Sequence, residues 1–303
     1  MPSNRTVTVV GSITKDFIWR QGEKVRMSLG GILYNTIALS ALMPNAVVVP
    51  VANVGRDIFD DCIKLLSRFA NVSLDGIRQV DKQNPRCYLN FVSGKHFNDG
   101  SVVPVTLANL KKFLSADIIM MTFPTGHEMT LRSFESVRRK TNCPIYVDYH
   151  MLAHGGDQAG FSSGKGLRQW RNWIRAADFA QFNHFEAEHL FGESIETKSD
   201  VLSFGRELTK KRTKAIVVTW GEKGSFVIHP RDGGLGCDHI ASVKCAVVID
   251  TVGSGDVYSA GFIAQYLRSQ DVLAAARFGS RAAAQRCGAH DLMELFELLR
   301  KLV

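Results

Sequence analysis

No apolar run in this chain is long enough to span a bilayer, which argues against a helical membrane protein. The cysteines at 62, 87, 143, 237, 245 and 287 contain no C-x-x-C pair. A zinc ribbon or a disulfide framework is therefore not expected, and the thiols read as reduced and mostly buried. His150 and His154 have i, i+4 spacing but lack the Glu of a zincin motif and precede a glycine-rich loop, 154–165. That pair does not read as a metal site. No G-x-x-x-x-G-K-[S/T] loop occurs, so any phosphate cradle must be of another kind. The N-terminus enters a strand-like run at once without a signal-peptide design, so the expected compartment is the cytoplasm. Internal repeats and low-complexity linkers are also lacking, and one domain over 1–303 is expected.

The net charge is +8, but aromatic residues are not interleaved with basic ones as in an RNA-binding sheet. The densest basic runs, 138–140 and 210–212, are expected late in surface helices, where cations suit the helix dipole. Neither nucleic acid nor a membrane is an expected partner. The charge better suits attraction of an anionic small molecule.

The chain has 45% apolar and 22% charged residues, ordinary for a globular enzyme. Strand-like runs at 6–11, 47–51, 117–122, 144–149, 176–182, 214–219 and 225–229 alternate with helical stretches at 35–42, 129–140, 166–177 and 274–287. This alternation predicts an α/β fold with a doubly wound, mostly parallel sheet flanked by helices. Two pieces do not fit the alternation. Residues 17–29 read as a hairpin standing off the sheet, and 86–105 as two strand-like runs around Gly94 and Gly100.

The most informative stretch is 245–267, CAVVIDTVGSGDVYSAGFIAQYL. The run 246–249 reads as a buried strand, and Val257, Ala260, Ile263, Ala264 and Leu267 recur at helical spacing. Between them lies a glycine turn at Gly253, Ser254 and Gly255. A helix start exposes unpaired N–H groups and partial positive charge, which together bind anions, most naturally a phosphate. Asp256 at its lip would repel a phosphate. Its presence is explained if it takes a proton from an attacking hydroxyl. A turn that merely closes tightly is the simpler alternative.

The turn DTVGSGD resembles the signature Asp-Thr-x-Gly-Ala-Gly-Asp of the ribokinase-like (PfkB) family of carbohydrate and nucleoside kinases, with Ser254 where alanine is usual. Weaker resemblances follow the family's order along the chain. Gly30, Gly31 and Asn35 match Gly-Gly-x-x-x-Asn; Asn183 and Glu186 match Asn-x-x-Glu; Thr219, Gly221 and Gly224 match Thr-x-Gly-x-x-Gly. The resemblance implies an ATP-dependent kinase that phosphorylates a hydroxymethyl group of a sugar-like molecule, with Asp256 as base. It implies acceptor binding by Asp16, Gly30, Gly31 and Asn35, and nucleotide binding by Asn183, Thr219, Gly221, Gly224 and Ser280. Asn183 and Glu186 would place Mg²⁺, mostly through water, although the same pair could simply cap a helix. Asp250 would hold a monovalent cation such as K⁺, as in some relatives. Segments near 14–29 and 84–106 would form a small β lid, with a homodimer through that lid left open. After the strand at 117–122, Thr122-Phe123-Pro124 lacks the acidic group of some ribose-specific relatives, and Phe123 or Tyr34 could stack on the acceptor. Asp57 is expected to cap a helix. A nucleoside kinase, a kinase for a vitamin-type alcohol and a non-catalytic sugar or nucleotide sensor are the alternatives.

Overall fold

The computed structural model describes residues 5–93, 95–153 and 166–303. Its strands, in chain order, are β1 (Thr6–Val10), β2 (Ile13–Trp19), β3 (Arg26–Gly31), β4 (Val47–Gly55), β5 (Ile77–Val80), β6 (Arg86–Asn90) and β7 (Lys95–Asp99). They continue as β8 (Ile118–Thr122), β9 (Ile145–Asp148), β10 (Phe179–Asn183), β11 (Ala215–Thr219), β12 (Ser225–Arg231) and β13 (Gly234–Ile240). Nine of them form one sheet in the order β13-β12-β11-β10-β9-β8-β1-β4-β5. All pairings from β11 to β5 are parallel, and β12 and β13 join antiparallel at one edge.

The strand sequences explain this arrangement. A strand covered by helices on both faces must be apolar at every position. In β8, IIMMT, all five residues are buried. Ile118 and Met120 face one core while Ile119 and Met121 face the other, the period-two alternation of a strand. The first core is closed by the helices Ile32–Leu42, Ser254–Ser269 and Val272–Cys287, the second by Leu131–Lys140 and Lys198–Leu208. Among the described residues no helix is long and apolar enough to cross a membrane.

The remaining strands make a separate small sheet, β3-β2-β6-β7. The β2–β3 and β6–β7 pairs are antiparallel hairpins, joined by a parallel β2–β6 pairing. This is the stand-off element expected from 14–29 and 84–106. One face carries an aromatic ladder in which Tyr88 stacks on Phe17, Trp19 and Phe97.

Several local expectations are corrected. The run 246–249 is not a strand, and Val247 and Val248 are 66% and 63% exposed. The chain must return from the edge strand β13 to mid-sheet, and 241–250 spans that distance. Its amides at Ile249 and Asp250 bond instead to the Cys287 carbonyl. Asp57 caps nothing: the helix Phe59–Leu66 starts after Ile58, and Asp57 Oδ1 accepts from the Asn84 N–H at 2.7 Å. The basic run at 210–212 lies just past the helix Lys198–Leu208, not within it. Gly94, His154 and the loop 154–165 lie outside the described residues. The six cysteines form no disulfide.

Candidate active site

Parallel strands end at one edge, so β1, β8, β9, β10 and β11 deliver their last residues to the same side. Open α/β sheets bind ligands beyond these carboxyl ends, where the strand order reverses. The Ser254–Ser269 helix starts there, with Gly253 before it at φ 82°. A Cβ at Gly253 would lie 2.6 Å from the Tyr34 ring, so both conformation and contact require glycine. The Ser254 N–H, expected in the anion hole, donates to the Thr251 carbonyl at 3.1 Å. The N–H groups of Gly253, Gly255 and Asp256 find no hydrogen-bond partner among the described residues. The unpaired amides at this turn are thus those of Gly253, Gly255 and Asp256, while that of Ser254 is taken. Gln181 and Asn35 steady the turn from behind: Gln181 Nε2 donates to the Gly255 carbonyl at 3.0 Å, and Asn35 Nδ2 to that of Asp256 at 2.9 Å.

Asp16, on β2, is buried beside this turn. A Cβ on Gly30 would lie 1.9 Å from Asp16 Oδ2, so the cross-strand glycine makes room for the carboxylate. Burial pushes the Asp16 pKa up to about 7; a Thr14 hydrogen bond opposes the rise, and the charges of Asp256 and Asp250 add to it. Asp16 Oδ1 and the Oγ of its cross-strand neighbour Ser28 are buried without partners. Gly31 precedes the Ile32–Leu42 helix. Asn35, expected to bind the acceptor, lies inside that helix and is fully buried; its Nδ2 ties two helices together and its Oδ1 has no partner. Tyr34 and Phe123 are packing residues: Tyr34 lies between Gly253 and Arg286, and Phe123 against Tyr149 and Trp173.

On the other side, Asn183 and Glu186 form a full capping box for the helix His184–Phe191. Glu186 is buried, and burial raises its pKa to about 7. Asn183 pairs in register with Thr219 on β11, and the turn after Thr219 is closed by Trp220 N–H donating to the Gly224 carbonyl at 2.7 Å, with Gly221 inside it. Ser280 is buried on the Val272–Cys287 helix. A magnesium–nucleotide complex fits this corner on two grounds. Three unpaired amides suit a phosphoryl group, and Glu186 beside them offers the carboxylate oxygen that a hydrated Mg²⁺ takes.

The structure adds four features to this corner that the sequence reading did not place there. Asp148, at the end of β9, accepts from Gln181 Nε2 at 2.6 Å. His150 follows, with Nε2 at 3.2 Å from Asp148 Oδ2 and 3.5 Å from Asp256 Oδ1. Burial works against a charged ring, but these carboxylates outweigh it and hold the His150 pKa well above its ordinary value. Glu128 supplies a buried carboxyl a few residues beyond β8; Thr125 donates to one oxygen and Oε2 has no partner. Finally, Asp250, expected to hold a monovalent cation, is ringed by arginines. Its carboxylate meets the guanidiniums of Arg20 (2.5 Å), Arg26 and Arg286 (2.8 Å). Burial would raise it, but the Val252 N–H, Arg286 and Arg26 hold it below the usual carboxylate range. Asp148 could have been found by the rule that singled out Asp16, a polar residue at a strand's carboxyl end. The arginines carry no such signal.

A family model described as "pfkB family carbohydrate kinase" matches residues 4–297. The deoxyribokinase of Salmonella typhi is 26% identical over 287 residues, 89% of this chain and 88% of that one. The nucleoside kinase of Methanocaldococcus jannaschii is 31% identical over 133 residues, a match spanning 44% of this chain and 41% of that one. Among solved structures, the Arabidopsis thaliana ribokinase complexed with ribose and ATP has a TM-score of 0.73 at 19% identity, over 98% of this chain and 99% of that one. That last likeness shows a shared fold.

Proposed function

The chain belongs to the pfkB family of carbohydrate kinases, and from that premise we propose that it transfers the terminal phosphoryl group of ATP to a hydroxymethyl group of a sugar-like acceptor. One observation carries this reading: Asp256 stands in the first helical turn, beside unpaired amides and close enough to Asp16 for their charges to interact. Phosphoryl transfer demands positioning and charge stabilisation more than covalent chemistry. The free N–H groups of Gly253, Gly255 and Asp256 would hold the oxygens of the migrating group. Asp256 would orient the acceptor hydroxyl and take its proton. Asp16 and Ser28, each with a buried unpartnered oxygen, suit an acceptor rich in hydroxyls, since buried polar atoms are rarely left unmatched. Asn183 and Glu186 would hold Mg²⁺, largely through water, whose charge offsets that of the phosphates. The small sheet would close over the acceptor and exclude water, the competing nucleophile.

An acceptor screen with ATP, reading phosphorylated product from sugars and nucleosides, tests the reading. Acceptor-dependent ADP release with a sugar supports it. Release with nucleosides alone would move the chain to the nucleoside kinases. Ligand-induced thermal shifts with no turnover for any acceptor would favour a non-catalytic sensor.

A further inference from the structure

We propose that Cys245 and Cys287 are an oxidant-sensitive thiol pair, which closes to a disulfide on meeting hydrogen peroxide and slows phosphoryl transfer by pulling on the turn at Gly253. Both thiols are partly exposed, whereas Cys62, Cys87 and Cys237 are buried and Cys143 precedes β9, at the opposite edge of the sheet. The segment carrying Cys245 runs beside the end of the Val272–Cys287 helix. The Cys287 carbonyl accepts from the Ile249 and Asp250 N–H groups at 2.7 and 3.2 Å. Cys245 Sγ lies 3.3 Å from where a Cβ on Gly288 would stand, so glycine keeps that space open next to Cys287. Residues 241–250 form no helix or strand, and Val247 and Val248 are exposed. Cys245 can therefore approach Cys287 without opening a sheet or a core.

The chemistry divides the two roles. Burial pushes the Cys287 thiol up, and a negative charge on Cys245 pushes it further, so Cys245 is the sulfur that attacks first. Its thiolate breaks the O–O bond of the peroxide, giving a sulfenic acid and, with one proton, water. The Cys287 sulfur then attacks the sulfenic sulfur, and the displaced hydroxyl leaves as water with the Cys287 proton. Two electrons pass from the sulfur pair to the peroxide, and a thiol reductant reverses the bond. In the reduced chain Cys245 Sγ donates to the Val247 carbonyl at 2.8 Å, a contact that the bridge replaces. Arg286, next to Cys287, meets Asp250 at 2.8 Å, and Gly253 follows three positions later. The bridge thus pulls on both sides of the pair behind the turn, where a shift of about 1 Å is costly to a reaction that depends on positioning. The effect on turnover rests on the kinase reading; the bridge does not.

The test treats the full-length protein with hydrogen peroxide, blocks free thiols and digests it with trypsin without reduction. Cleavage after Lys244, Arg268, Arg286 and Arg300 frees the peptides 245–268 and 287–300. Mass spectrometry should find these two linked, and dithiothreitol should part them. On an acceptor the wild type phosphorylates, kcat should fall ~10-fold or more as the bridge forms and recover with dithiothreitol. Cys245→Ser and Cys287→Ser should each match the reduced wild type and keep their turnover under the same peroxide. Absence of the linked peptide, a linked peptide with unchanged turnover, or equal loss of turnover in a folded Cys245→Ser variant would each overturn the switch. Should one variant fail to fold, the other and the linked peptide decide. A chain that phosphorylates no acceptor fails the kinase reading, and the linked peptide still decides whether the pair closes.

Discussion

Asp16 holds a carboxyl where water cannot reach it, and the consequence can be measured. Its pKa is about 7 in the folded chain against an ordinary 3.8. The native state therefore keeps a proton that the unfolded chain has lost, and stability contributed below pH 4 is lost as pH rises through about 7. The shift corresponds to ~4 kcal/mol at most, since neighbouring Asp256 and Asp250 share in it. Asp16→Asn should melt higher than the wild type at pH 8 by more than it does at pH 5, in the absence of acceptor. A melting-temperature difference that does not change with pH would contradict this. The same variant should bind acceptor ~10- to 100-fold more weakly, the scale of a lost charge-assisted hydrogen bond.

The turn before the Ser254–Ser269 helix stands on Gly253. Any side chain there meets both a left-handed φ and the Tyr34 ring, so Gly253→Ala should cost ~1–3 kcal/mol of stability and also lower kcat by misplacing the amides. Chemical denaturation and steady-state rates on one preparation check both. The turn and the helix start after it were legible because their signal is local: glycines, a carboxylate and the first helical residues lie within seven positions. β1, β8, β10 and β11 were legible for the same reason, as buried strands of parallel sheets are unbroken apolar runs. The run 246–249 looked identical and was misread. Whether such a run finds a partner depends on where the sheet ends, and the β12–β13 hairpin had already taken that edge. Asp148 and Gln181 lay hidden, and His150 was set aside, because only the strand order brings β9 and β10 against the start of a helix far along the chain. The bond from the Asn35 amide to the neighbouring helix was not legible, since it too depends on how two distant helices pack.

Across the whole molecule, the small sheet and the turn are joined at Asp250. Arg20 directly follows β2 and Arg26 lies on β3 of the small sheet, Arg286 lies on the Val272–Cys287 helix, and all three meet one fully buried carboxylate. Removing that carboxylate strands three cations, so Asp250→Asn should destabilise by ~3–5 kcal/mol in urea unfolding. Arg20→Ala, at the partly exposed end, should cost far less. With guanidiniums occupying Asp250, turnover should change less than ~2-fold when K⁺ replaces Na⁺ at constant ionic strength; a strong K⁺ requirement would show that the arginines give way. The reading as a whole rests on Asp256, whose carboxylate and unpaired backbone N–H stand together in the first turn of the Ser254–Ser269 helix. The decisive measurement is kcat of Asp256→Asn, on an acceptor the wild type phosphorylates, beside its melting temperature. A loss of ~10²-fold or more with melting nearly unchanged is expected of a general base. Near-normal turnover in that folded variant would contradict it.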